Sequence, residues 1–97
     1  MDALAVHKET GQFWNEIADW YGERGEAEAT SFLQEGGSFL YDHEKHLLGD
    51  LAPWCKRAIH LQCSYGNDAL SLLSQGAAEV VGVDISERLL AVARRKT

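Results

Sequence analysis

The sequence predicts an α/β protein in two parts. A helical N-terminal cap covers 1–52, and 53–97 holds the first βαβα unit of a parallel sheet that is incomplete. Three observations carry this. Phe13, Trp14, Ile17, Ala18 and Tyr21 recur at the spacing of one helix face. After Pro53, short apolar runs alternate with helical stretches, the order of a parallel sheet with crossover helices. Val80-Val81-Gly82-Val83 is β-branched without polar alternation, which is the look of a strand buried on both faces.

Each element follows from local signals. The first helix has Thr10 as its expected N-cap and Gly22 or Gly25 as its stop, with Glu16 and Asp19 on the polar face. A second helix is expected from Glu26 to Glu35, ended by Gly36-Gly37. A third is expected from Asp42 to Leu51, with Leu47, Leu48 and Leu51 as its apolar stripe and Pro53 ending it. The first strand is expected over 58–63 and a turn over 64–67. A helix over 68–75 has Ala69, Leu72 and Leu73 on one face and Gly76 past its end. The second strand is Val80–Val83. Ser86 then caps a last helix carrying Leu89, Leu90 and Ala93. Two strands leave both sheet edges open, and the sequence stops inside the expected last helix. The expectation is the N-terminal portion of a longer protein, or a half-domain completed by a second copy or a sheet-completing partner.

Composition narrows the function. The 97 residues hold nine Lys and Arg against fifteen Asp and Glu, a net charge of −6. Residues 1–50 hold eleven of those acids and three of the bases. Such an acidic half argues against a nucleic-acid partner, because phosphates call for positive charge. Arg94-Arg95-Lys96 is the one basic cluster, and it suits the negative end of a helix dipole. No apolar run approaches the roughly 18 residues of a membrane span, and no signal peptide is evident. Cys55 and Cys63 are too few for a disulfide scaffold. Reduced thiols and a cytoplasmic location are expected. His43 and His46 lie three apart on the third helix, where a solvated face is the simpler reading than a metal pair, so no metal site is expected.

The informative stretch runs from Arg57 to Ala91. A strand ends at Leu61-Gln62-Cys63, Gly66 opens a helix, and Asp84 follows the next strand eighteen residues after Gly66. In parallel sheets, ligands lie outside the carboxyl ends of the strands. An acid there can accept the hydroxyls of a ribose, so the layout predicts a nucleoside-containing ligand across the two strands.

On these residues the chain resembles the class I S-adenosylmethionine-dependent methyltransferases. The matching runs are His60-Leu61-Gln62-Cys63-Ser64-Tyr65-Gly66 and Gly76-Ala77-Ala78-Glu79-Val80-Val81-Gly82-Val83-Asp84-Ile85-Ser86. The resemblance implies a Rossmann-like domain, S-adenosyl-L-methionine as cofactor and a small-molecule methyl acceptor. The first run would be the cofactor loop, in a His-Leu-Gln-Cys variant. His60 stands for the family's acid, and Gln62 and Ser64 stand for its first two glycines. The second run delivers the ribose-binding Asp84. The implied cofactor-binding set is Tyr21, His60, Gln62, Cys63, Ser64, Gly66, Asp84 and Ile85. Gln62 and Ser64 would donate hydrogen bonds to the cofactor's amino-acid end. No catalytic residue is named, because acceptor recognition in the family belongs to later strands.

Plainer roles stand beside these. Tyr21 and Trp14 read as core residues of an amphipathic helix or as cation–π partners of a sulfonium. His60 reads equally as a buried histidine, Ile85 as core or as an adenine contact, and Cys63 as a small buried residue touching ligand by its backbone. A nicotinamide dinucleotide site would need three glycines in this turn, where one is present. It would also set a pyrophosphate against Asp68 in the first turn of the helix.

Overall fold

The computed structural model describes residues 2–21 and 26–97, without the side chains of Trp20 and Tyr21. Among them lie five helices and a two-stranded parallel sheet, a mixed α/β arrangement. The order is α1 (Ala3–Tyr21), α2 (Glu26–Gln34), α3 (Asp42–Leu48), β1 (Arg57–Leu61), α4 (Asn67–Ser74), β2 (Glu79–Val83) and α5 (Glu87–Arg95). The strands pair from Arg57↔Glu79 to Leu61↔Val83.

Helix α1 begins at Ala3, not beside Thr10. Asp2 supplies the start by accepting the Leu4 N–H through its carboxylate, at 3.0 Å. Thr10 is an interior residue whose hydroxyl donates to the Val6 carbonyl, a bond that lets threonine sit inside a helix. The expected stops at Gly22 and Gly25 lie outside the described residues. The seam of α1 keeps only part of its expected apolar stripe. Ala18 is buried and Ile17 half-buried, but Phe13 and Trp14 are exposed, while Gly11 and Asn15 meet α5 and the turn before it. Glycine lets the helix approach Ile85, whose Cγ1 lies 3.6 Å from where a Gly11 Cβ would be. Asn15 accepts hydrogen bonds from the Ser86 hydroxyl and the Arg88 N–H, and Asp19 pairs with Arg88. Small size and polar complementarity outweigh hydrophobicity on this face.

Helix α3 ends at Leu48, with Gly49 at φ 62° donating its N–H to the Lys45 carbonyl. The expected stripe is thereby broken. Leu47 is 81% exposed, whereas Leu51, beyond the helix, is 2% exposed. The Leu51 N–H bonds to the Gln75 carbonyl, and the Gln75 carboxamide donates to the carbonyls of Lys45 and Gly49. The residue after α4 thus adds a donor to the last turn of α3 and to the glycine that follows it, where backbone carbonyls run short of helical partners.

Helix α4 packs on the sheet and α2 packs on α4. Ser71 is fully buried in α4. Its hydroxyl donates to the Asn67 carbonyl and accepts the Phe39 N–H, both at 2.7 Å. Helix α5 is capped as expected: Ser86 Oγ accepts the Leu89 N–H at 3.2 Å, and Leu89 and Val92 are buried.

Strand β2 is not buried on both faces. Opposed residues of paired strands share a face. Ala58 and His60 therefore lie with Val80 and Gly82 on one face, and Ile59 and Leu61 with Val81 and Val83 on the other. On that second face all four are exposed, Ile59 at 64% and Leu61 at 70%, because no described element covers it. Among the described residues, no helix is long and apolar enough to cross a membrane.

Candidate functional site

A cleft of about 360 Å³ opens at the carboxyl ends of the two strands. Its floor is the two loops that follow β1 and β2, contributing Gln62, Ser64, Asp84 and Ile85. Helix α1 forms a wall with Thr10 and Trp14, and Leu89 of α5 completes it.

The floor owes its shape to an unusual backbone. Gln62 and Ser64 have φ of 57° and 52°, and Gly66, the N-cap of α4, has φ of 84°. Only glycine enters this left-handed region freely; other residues pay about 1–2 kcal/mol each. The surroundings offset that strain. The Cys63 N–H extends the β ladder to the Val83 carbonyl at 3.0 Å. The Ser64 N–H donates to Asp84 Oδ2 at 2.9 Å. A hydrogen bond to a charged acceptor contributes about 1.5–3 kcal/mol, enough to hold one such residue. Asp84 Oδ1 accepts the Ser86 N–H, also at 2.9 Å, so the carboxylate spans both loops.

Cys63 sits between the two left-handed residues and turns away from the cleft. A Cβ at Gly82 would lie 2.8 Å from its Sγ, so the thiol occupies the space beside that glycine. Burial, and then the charge of Asp84, push the Cys63 thiol above its ordinary value. It is a core residue and a poor nucleophile.

The expected set thus divides. Gln62, Ser64, Asp84 and Ile85 come together at the cleft. Cys63 and Gly66 instead border a separate cavity of about 160 Å³ between the sheet and helices α4 and α5. Gly66 is there for close packing: a Cβ would lie 2.8 Å from that of Ala93. His60 does not line the cleft either. Strand alternation puts it on the face of Ala58, and its buried Nδ1 has no hydrogen-bond partner among the described residues. The Tyr21 side chain lies outside the described residues. Trp14 takes a place in the wall that helical spacing alone made secondary to Tyr21. Thr10 and Leu89 were missed. Thr10 was expected as a cap and Leu89 as core, and nothing in local sequence says that α1 crosses the strand ends.

The cleft has a mixed character. The Gln62 carboxamide and the Ser64 hydroxyl have no partner among the described residues. Each Asp84 oxygen keeps a lone pair beyond its backbone bond. Trp14, Ile85 and Leu89 supply flat and apolar surface. Among the described residues, no three His, Cys, Asp or Glu side chains gather as a metal site. His43 instead stacks on Tyr41, ring centroids 5.7 Å apart. Comparison of the chain with family models, with curated proteins and with solved structures finds no match.

Proposed function

We propose that this chain carries the cofactor side of an S-adenosyl-L-methionine-dependent methyltransferase, on a Rossmann-like unit, with a small molecule as methyl acceptor. One observation carries the reading above the others. Gln62, Ser64 and Gly66 stand where the resembling family has its loop glycines, and all three have the left-handed backbone that glycine adopts freely. The loop keeps the glycine conformation without two of the glycines.

The residues present fit such a group. The cleft volume falls in the range of small-ligand sites, about 300–1,000 Å³. Asp84 would accept ribose hydroxyls on its remaining lone pairs. Gln62 and Ser64 would meet the amino-acid end. Trp14 would face the sulfonium, where an aromatic ring attracts a cation. Ile85 and Leu89 would pack on the adenine. A dinucleotide fits worse, because Asp68 is exposed in the first turn of α4 and would repel a pyrophosphate.

When bound, the cofactor supplies a methyl group on a sulfonium, whose leaving sulfur becomes neutral. The chain's part is to hold its ligand in one orientation, which is catalysis by proximity. No general base is assigned.

The uncovered apolar face of the sheet favours a second reading, a non-catalytic half-domain whose sheet is completed by another chain. Calorimetry with S-adenosylhomocysteine and with NAD on the 97-residue chain separates the two. The methyltransferase reading expects the first to bind and the second not to, and Asp84→Ala to weaken binding by about 1–3 kcal/mol. Binding of neither, by a chain that sediments as a stable dimer, would give the second reading its place.

A further inference from the structure

Asp84 does more in this structure than offer a carboxylate to the cleft. Its Oδ2 accepts the N–H of Ser64, a residue in the left-handed region, and its Oδ1 accepts the N–H of Ser86. Ser86 is completely buried as the cap of α5, and its hydroxyl donates to Asn15 Oδ1 of α1. The path Ser64–Asp84–Ser86–Asn15 therefore touches the β1 loop, the β2 loop, α5 and α1, which are all the elements that border the cleft.

We propose that Asp84 is a positioning residue: its carboxylate holds Ser64 in the left-handed conformation and, through Ser86, ties that turn to α5 and α1, so that the cleft takes its shape from this one side chain. The inference deepens the cofactor-site reading, and it rests on that reading only for its ligand arm. Two features set Ser64 apart from an ordinary loop residue. Its backbone is strained, so it needs an external hold. The hold comes from a charge-assisted bond, among the stronger hydrogen bonds a backbone N–H can make. A carboxylate that only waited for a ligand would leave these two N–H groups to solvent.

The test is a cycle between positions 84 and 64, with hydrogen exchange and ligand affinity as readouts. In the unaltered chain the Ser64 amide should be protected. Asp84→Ala, and Asp84→Asn with one oxygen acceptor for two N–H donors, should speed its exchange about tenfold or more, against smaller changes at Cys63. Ser64→Gly removes the strain along with the hydroxyl, so the S-adenosylhomocysteine affinity lost to Asp84→Asn should be at least threefold smaller in the Ser64→Gly background than in the unaltered chain, and the loss of thermal stability should shrink with it. A purely ligand-contacting Asp84 would give additive losses with no recovery. Unchanged exchange at Ser64 in both Asp84 variants, or additive losses in the cycle, overturns the proposal. Should Asp84→Ala fail to fold, Asp84→Asn and the Ser64→Gly cycle still decide. If the unaltered chain binds no S-adenosylhomocysteine, the cofactor reading falls. Exchange at Ser64 and the stability cycle then decide the positioning role by themselves.

Discussion

At the scale of single residues, the loop after β1 alternates in purpose. Gln62 and Ser64 present side chains to the cleft, and Cys63 between them fills the space against Gly82. The same three positions show why a sequence pattern is a partial guide. Gln62 and Ser64 carry no mark of a left-handed backbone, since glutamine and serine rarely adopt it. What holds Ser64 there is Asp84, twenty residues away, so only the folded chain reveals it. Cys63 gives a prediction of its own. Burial and the Asp84 charge both favour the neutral thiol, so its value in the folded state lies above that of an ordinary thiol. A group raised in this way contributes stability that is whole below its unfolded value. That contribution is lost as the pH rises through the folded value. Urea midpoints should therefore fall as the pH rises past the ordinary thiol range in the unaltered chain and fall less in Cys63→Ala, with Cys55, shared by both, as common background. Parallel curves for the two chains would show that the thiol is not responsible.

At the scale of elements, the order of strands and helices was legible, and the bounds were mostly within one or two residues. Glycine ends α2 as expected, where Gly36 takes φ of 86°, and Ser86 caps α5. The misses have physical causes. A stripe at helical spacing marks an apolar face, but Leu47 and Phe13 stay exposed while Gly11 and Asn15 meet α5 and the turn before it. Likewise β2 has the composition of a strand covered twice and is covered once among the described residues. Its one glycine can be tested. Gly82→Ala sets a methyl 2.8 Å from the Cys63 sulfur, an overpacking that should cost about 1–3 kcal/mol. Cys63→Ala removes that sulfur. In its background the Gly82→Ala loss should shrink to less than half, as measured by denaturant unfolding. Equal losses in both backgrounds would mean that the strand shifts away from the helices instead of pressing on Cys63.

At the scale of the whole molecule, helical cap and βαβα unit are joined by polar ties whose partners lie far apart in sequence, which is why the site was only half legible. The Asn15–Ser86 bond brings Thr10 and Trp14 to the strand ends. A second such tie is at Lys96, whose side chain is 2% exposed. Its ammonium donates to the Tyr65 carbonyl at 2.9 Å and to Asn67 Oδ1 at 2.7 Å, pairs with Glu26 at the start of α2, and lies 5.6 Å from the Tyr65 ring centroid. As part of a basic cluster, Lys96 reads in sequence as a helix-end charge. In the fold it stands within a step of that end and turns inward. A buried cation is stable only when its donors are satisfied, and three oxygens from two stretches of chain, Tyr65–Asn67 and the start of α2, surround this one. Lys96→Met keeps the apolar stem and removes the charge, which leaves Glu26 and two further acceptors without their donor. The expected loss is about 1–3 kcal/mol in urea unfolding. Salt distinguishes this tie from the exposed Arg57–Glu79 pair. Screening by ions acts on exposed charges, so the Lys96 loss should persist at high ionic strength while any effect of Arg57→Ala fades. A Lys96→Met effect that vanishes with salt would mean that the ammonium lies in solvent and that the end of α5 is not tied to α2.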